Sequence, residues 1–232
     1  DHAHITVTGS FNLATEMQAA GFKVGNAIGP DVDIAVTAGY TGTVFVRNRQ
    51  TSLIDDVLAW MQDQPHLGML LARDCHGAAT GAFDLSAIGI TGPRAPDIFY
   101  LGRTTDTIDV HGLNGTCLNG NDGLPIGGST HGGLHPKELN NFLSLGGDRF
   151  QPAASFDGAC GVVDVAPTIL DGLGLAVPHT MHGRSLLAAL ARDQAAQSEK
   201  IWELGRGQYL QELSITTVAG GHAYINGGRR VQ

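Results

Sequence analysis

The chain is poor in cysteine, poor in positive charge and without a long apolar run. Its 232 residues include three cysteines, Cys75, Cys117 and Cys160, widely spaced and with no C-x-x-C pair. That spacing disfavours a thiolate zinc site; in an oxidising compartment it allows one disulfide and one free thiol, with the pairing open. Lys and Arg total 14 against 22 Asp and Glu, for a formal charge of −8 and a pI near 5.6. Such a balance argues against nucleic acid or an anionic membrane surface as the main partner. No apolar run approaches the ~20 residues of a membrane-spanning helix, so no membrane span is expected. Nor is there an initiator Met, or a basic segment leading into an apolar one; the sequence opens at Asp1 and reads as a mature form or a fragment.

What is present is glycine. The 33 glycines are about twice the usual share and cluster over residues 112–133. Apolar residues make up 42%, ordinary for a globular protein, and the length suits one large domain or a core with a smaller lobe. The opening DHAHITVTG reads as the end of a strand followed by a loop. A helix is expected over Leu13–Ala20, stopped by Gly21. Asp33–Thr37 and Thr43–Arg47 read as a hairpin around Gly39 and Gly42. Ser52 and Asp55 suggest a capping box for a helix whose face carries Ile54, Val57, Leu58 and Met61. Leu67–Ala72 reads as a short strand, and Asp97–Leu101 as a buried one that feeds a long structureless stretch, 102–133, of the kind that is often functional. Pro136 opens a helix. Asp164 caps another over Val163–Leu173, with Ala166, Ile169, Leu170 and Leu173 on one face. Ser185–Arg192 is a further short helix, and the tail from Tyr209 is β-hairpin material. Alternation of strands and helices makes the class α/β.

Two places carry potential chemistry. In GGSTHGGLHPKEL, four glycines and two small hydroxyl residues surround His131 just ahead of a helix. At the start, Asp1 and His2 are adjacent, and a carboxylate and a neutral imidazole are both suitable zinc ligands. At the C-terminal end of a strand such a pair faces the crevice where α/β sheets bind ligands. His135 reads as a loop histidine, and His66, His76, His111, His179 and His222 as bland.

THGGLHPKELNNFLSLGGDRF, followed by VVDVAPTILDGLGLAVPHTMHGRSL, resembles the C-terminal part of the alkaline phosphatase superfamily, and within it the type I phosphodiesterase/nucleotide pyrophosphatase family. The family's metal-binding H-G matches His131-Gly132. Its following helix and "F-L-A-x-G-P-x-F" phrase match Asn141–Phe150, its "D-V-A-P-T-I-L-x-x-L-G-L" helix matches Asp164–Leu175, and its "M-x-G-R-S-L" segment matches Met181–Leu186. The earlier D-H-G matches Asp1-His2, with Ala3 in place of glycine. The likeness spans roughly residues 1–190.

This resemblance implies an alkaline-phosphatase-like core, a mixed or parallel sheet sandwiched by helices, of which residues 1–9 and 96–232 form the C-terminal part. Residues 10–95 are then a small α/β lobe inserted between the metal-ligand motifs. It implies a metal-dependent hydrolase of phosphate mono- or diesters with two divalent, zinc-type ions. Asp1 and His2 serve one ion and His131 the other. The remaining ligands and the nucleophile are expected upstream, so this chain carries no catalytic nucleophile, and neither Ser129 nor Thr130 is assigned that role. The implied partners are a small-molecule phosphate ester and the N-terminal part of the same protein, and a periplasmic or secreted location is favoured over the cytoplasm. Two alternatives stay open: a non-catalytic α/β binding domain on the same scaffold, and a sulfatase or phosphonate hydrolase of the same superfamily.

Overall fold

Short segments rich in Val, Ile, Leu and Thr, punctuated by glycine, build a fold in which strands dominate. The computed structural model describes residues 2–74, 80–121, 123–150, 153, 155–187 and 197–231. Among them the architecture is α/β with mixed parallel and antiparallel sheets. The chain forms a larger unit of His2–Asn140, Trp202–Leu213 and Gly227–Gln232, and a smaller one of Asn141–Ile201 and Ser214–Asn226.

The larger unit holds two sheets. Its strands are β1 (Ile5–Ser10), β2 (Val24–Gly25), β3 (Ile34–Thr37), β4 (Thr41–Val46), β5 (Leu67–Ala72), β6 (Phe83–Asp84), β7 (Ile98–Gly102), β8 (Thr104–Ile108), β9 (Asn114–Asn119) and β10 (Ser129–Thr130). One sheet runs β2-β3-β4-β7-β5-β6, parallel at its two outer pairs and antiparallel within. The other runs β10-β1-β9-β8, with β1 parallel to β9 and antiparallel to β10. Strand β5 is buried at every position, as its unbroken apolar run requires. Helices α1 (Leu13–Ala19) and α2 (Thr51–Gln62) cover the six-stranded sheet, adding Leu13, Met17, Val57, Leu58 and Met61 to a core with Ile34, Val44, Leu70 and Ile98. A second cluster, Ile5, Val7, Tyr40 and Cys117, lies under the four-stranded sheet.

Three tail strands, β11 (Gln197–Arg206), β12 (Tyr209–Val218) and β13 (Ala223–Arg230), pair in that order and are divided between the two units. Within the larger unit Gln211 acts as a substitute strand. Its amide donates to the carbonyls of Leu70 (3.0 Å) and Gly81 (2.9 Å), and its carbonyl oxygen accepts from Leu70 N (3.0 Å) and the Tyr209 hydroxyl (2.9 Å). This fully buried amide thereby satisfies a stretch of β5 backbone. In the smaller unit the hub is Asp164, also fully buried. Its carboxylate accepts from Gly161 N (2.9 Å), Arg184 N (2.8 Å) and the Tyr224 hydroxyl (3.0 Å).

The hairpin and the first helix form as expected: Asn12 caps α1 by accepting from Thr15 N, and β3 pairs antiparallel with β4. Elsewhere the structure corrects the reading. Strand β1 starts after His2 rather than ending there. Helix α2 starts at Thr51 behind Gln50, with no side-chain cap; a tight turn with Asn48 and Arg49 at positive φ sets its entry instead of Ser52. The stretch 102–133 is not structureless, since β8, β9 and β10 lie within it, built largely on threonines that favour strands. Asp164 does not cap α4 (Val165–Gly172), because its oxygens are taken by Gly161, Arg184 and Tyr224. That helix buries Pro167 and Thr168 and leaves Ile169 and Leu173 exposed, the reverse of the expected apolar face. Of the helix expected over Ser185–Arg192, residues 188–192 lie outside the described residues, as does Cys75; Cys117 and Cys160 are free thiols.

Replacing Gln211 by Leu keeps the volume but orphans three buried backbone groups, Leu70 N, Leu70 O and Gly81 O, while the Tyr209 hydroxyl keeps the Gly68 carbonyl. The expected cost is about 3 kcal/mol, read as a lowered midpoint in urea unfolding. An unchanged midpoint would show that the amide has no such role.

Candidate metal centre

The site begins with strand register. Strand β10 pairs antiparallel with β1 through Ile5 opposite Thr130 and Thr6 opposite Ser129. One step further along the same register sets His4 opposite His131, and opposed residues carry their side chains on the same face. Successive side chains alternate in an extended segment, so His2 returns to the face of His4. The rings meet accordingly. His2 and His131 stack with centroids 3.8 Å apart and planes at 23°. His4 stands edge-on to both, 5.2 Å from His2 and 5.4 Å from His131. One ligand atom from each of the three lies within 4.8 Å of the others, and all three residues are exposed.

Glu138, buried in the short helix α3 (Pro136–Leu139), locks the two segments together. Its main-chain carbonyl accepts from Ala3 N, between His2 and His4, at 3.1 Å. Its carboxylate accepts from Gly133 N (2.8 Å), His135 N (3.2 Å) and the Tyr40 hydroxyl (2.6 Å). Burial, and next the charge of Glu138, push the Tyr40 phenol well above its usual pKa, so it stays a donor. Gly132 takes a φ of +98°, a region side chains disfavour, and a Cβ on Gly133 would collide with the Tyr40 ring. The glycines flanking His131 are thus required by the turn and by this close approach. Beneath them burial, with Glu138 second, pushes the Cys117 thiol up to about 12, which removes a thiolate from the donors at hand.

Asp109 ties β1 to α3 from the other side. Its buried carboxylate accepts from Thr6 Oγ1 (2.6 Å), Lys137 Nζ (2.8 Å), His111 N (2.8 Å) and Leu113 N (2.9 Å). Lys137 foremost, then Thr6, hold its pKa far below the usual carboxylate range.

His2 and His131 are therefore brought together, whereas Asp1 lies outside the described residues. His4 was missed, although H-A-H at strand spacing was its signal. His135 lies in the loop just ahead of α3, as expected, but it has a structural role there: Nδ1 accepts from Lys137 N (3.1 Å) in the capping box of α3, and Nε2 faces Asp106 at 3.2 Å. Both ring nitrogens are thereby occupied. Ser129 and Thr130 form β10 itself. His66 pairs with Glu16 at 2.8 Å, its pKa lowered chiefly by burial against the opposing pull of that carboxylate, and His222 Nδ1 meets the His182 carbonyl at 2.9 Å. Three imidazoles on one exposed face make a donor set suited to zinc and similar ions. Comparison with protein-family models, with curated proteins and with solved structures finds no match to this chain.

Two outcomes follow from these supports. Glu138→Ala is expected to cost about 3 kcal/mol in urea unfolding, because Tyr40, Gly133 and His135 lose a buried acceptor together; a loss below about 0.5 kcal/mol would contradict its place at the junction. Because Asp109 is more acidic folded than unfolded, its contribution is present at neutral pH and fades as pH falls below the ordinary carboxylate range, about 4. The thermal stability gap between the native protein and Asp109→Asn should narrow on that descent; a gap independent of pH would refute the ionised anchor.

Proposed function

We propose that this chain supplies metal-binding residues to a metal-dependent hydrolase of phosphate mono- or diesters, of the type I phosphodiesterase/nucleotide pyrophosphatase kind. The observation that carries the reading is the meeting of His2 with His131. These are the two histidines that the motif likeness singles out, and their rings lie at stacking distance although most of the larger unit's sequence separates them. Asp1 is the third ligand in this reading, as the acid half of the D-H pair. When bound, two zinc-type ions acidify an attacking hydroxyl and neutralise the oxygens of a phosphoryl group in transfer.

The chain's own part is to hold and orient. Glu138 fixes both ligand-bearing segments, and the glycines beside His131 leave backbone room for an ester to come close. A net charge of −8 makes a bound cation the natural source of the positive charge an anionic ester needs. Residues 1–9 and 96–232 are assigned to the alkaline-phosphatase-like core and residues 10–95 to its lobe. The nucleophile and the other ligands are assigned, by the same likeness, to a further part of the protein. Exposed Ile169 and Leu173 on α4 offer that part an apolar surface to cover.

In a protein that joins this chain to the part assigned the nucleophile, His131→Ala is expected to lower turnover of a nitrophenyl phosphate mono- or diester about a thousandfold, because losing a ligand costs metal occupancy rather than packing. Circular dichroism and the unfolding midpoint should stay unchanged. Full turnover in that variant would overturn the assignment, and a marked preference for a sulfate ester or phosphonate would move the substrate to the superfamily's other classes.

A further inference from the structure

We infer that the larger unit carries a metal-independent oxyanion site, a cleft ringed by Arg103, Arg229 and Arg230 that takes the phosphate group of a small anionic ligand. The inference goes beyond the hydrolase reading and does not depend on it, since no histidine of the candidate metal centre takes part. The cleft has a volume of about 320 Å³, within the range of small-ligand sites, and is lined by the start of β8 and the end of β13. Its lining residues all belong to the larger unit. Three of the chain's 14 basic side chains converge there against a single carboxylate, Asp106, in a protein of net charge −8. Like charges drawn together repel, and a bound anion removes that cost.

The three guanidinium groups are placed in advance of any ligand. Arg230 Nη1 donates to the carbonyls of Gln64 (2.6 Å) and Leu67 (3.1 Å), and the group lies over the Tyr209 ring, 4.8 Å from its centroid. Burial foremost, with the charge of Arg103 adding to it, lowers the Arg230 pKa, so these two cations lie close enough to repel. Arg103 is anchored through its main chain, whose N–H donates to the His66 carbonyl (2.8 Å) and whose carbonyl accepts from Leu118 N (2.9 Å). Among the described residues its guanidinium meets only the Pro65 carbonyl, at 3.4 Å, and no carboxylate. Arg229 spends Nε on Glu212 (2.6 Å) and Nη1 on Asp106 (3.2 Å), which leaves Nη2. The planar fork of a guanidinium matches two oxygens of a phosphate, and charge-assisted bonds of this kind are about twice as strong as neutral ones. A phosphate offers several oxygens in a small volume for three cations to share, where a carboxylate offers two. Asp106 is the one lining group that opposes an anion. Its side chain is 61% exposed and pairs with Arg229 and His135, so its charge can be removed without opening a core.

The test is calorimetric titration of the 232-residue chain with inorganic phosphate, in a chelating buffer that keeps metal off the histidines. Saturable binding of one equivalent is expected. Arg103→Met, which keeps the apolar stem and loses the charge, should weaken it about tenfold. Asp106→Asn should tighten it severalfold, a gain that misfolding cannot produce, and added salt should shrink that gain. His131→Ala should bind phosphate as the native chain does, so failure of the metal-ligand assignment and failure of this site show in different variants. Acetate should bind at least about tenfold more weakly than phosphate. An absence of saturable binding, or equal binding by native and Arg103→Met chains with matching unfolding midpoints, would overturn the site. Weaker binding by Asp106→Asn would overturn it too, and loss of binding in His131→Ala would place the anion at the histidines instead. Acetate binding as tight as phosphate binding would overturn the ligand class. Retention of the chain on phosphatidic acid vesicles, lost in Arg103→Met, would move the phosphate to a lipid headgroup and overturn the small-ligand assignment.

Discussion

The antiparallel pairing of β10 with β1 is the constraint on which the candidate site depends. It is only two residue pairs long, Ile5 with Thr130 and Thr6 with Ser129, yet its register decides which side chains meet. A slip of one residue would turn His131 to the opposite face, because side chains alternate along a strand. What prevents the slip is burial: Ile5 and Val7 are fully buried beside Tyr40 and Cys117, so β1 cannot rotate its apolar face outward. The imidazoles lie just past the end of this ladder, where the chains leave the core and their side chains reach solvent.

Glu138 converts that register into a rigid junction. Its main chain holds the segment of His2 and His4, and its side chain holds the turn that follows His131. A carboxylate buried this deeply is tolerable because three donors meet it, among them a Tyr40 phenol that burial keeps protonated. Asp109 anchors the other side through Thr6 and Lys137. The histidines themselves make few demands on the fold; their supports are buried and make many.

Much of the larger unit was legible in the sequence, because its elements carry strong local signals. The run Leu67–Ala72 forms β5 at those very bounds, the segment that Gly21 stops gives α1, and Gly39 marks the β3–β4 turn. The stretch 102–133 was not legible as strands, since its threonines and glycines lack the apolar alternation that reveals a half-buried strand, and β9 and β10 pair with distant β1. Asp164 illustrates a different limit. Its position ahead of α4 is that of a capping residue, but Arg184 and Tyr224, far along the chain, claim its oxygens. Of the site, His131 was legible through its glycines and His2 through its acidic neighbour. His4 was hidden because its significance is a cross-strand neighbour that only the β1–β10 register supplies, and Glu138 because nothing local distinguishes a structural carboxylate from a surface one.

The central claim is that the β1–β10 register brings His2 and His131 to one exposed face, where the proposed function makes both of them metal ligands. Anomalous diffraction from crystals of the zinc-loaded chain, recorded on both sides of the zinc absorption edge, tests it most directly. The account predicts anomalous density within about 2.1 Å of a ring nitrogen of His2 and of His131. Peaks that fall only at other residues would contradict it.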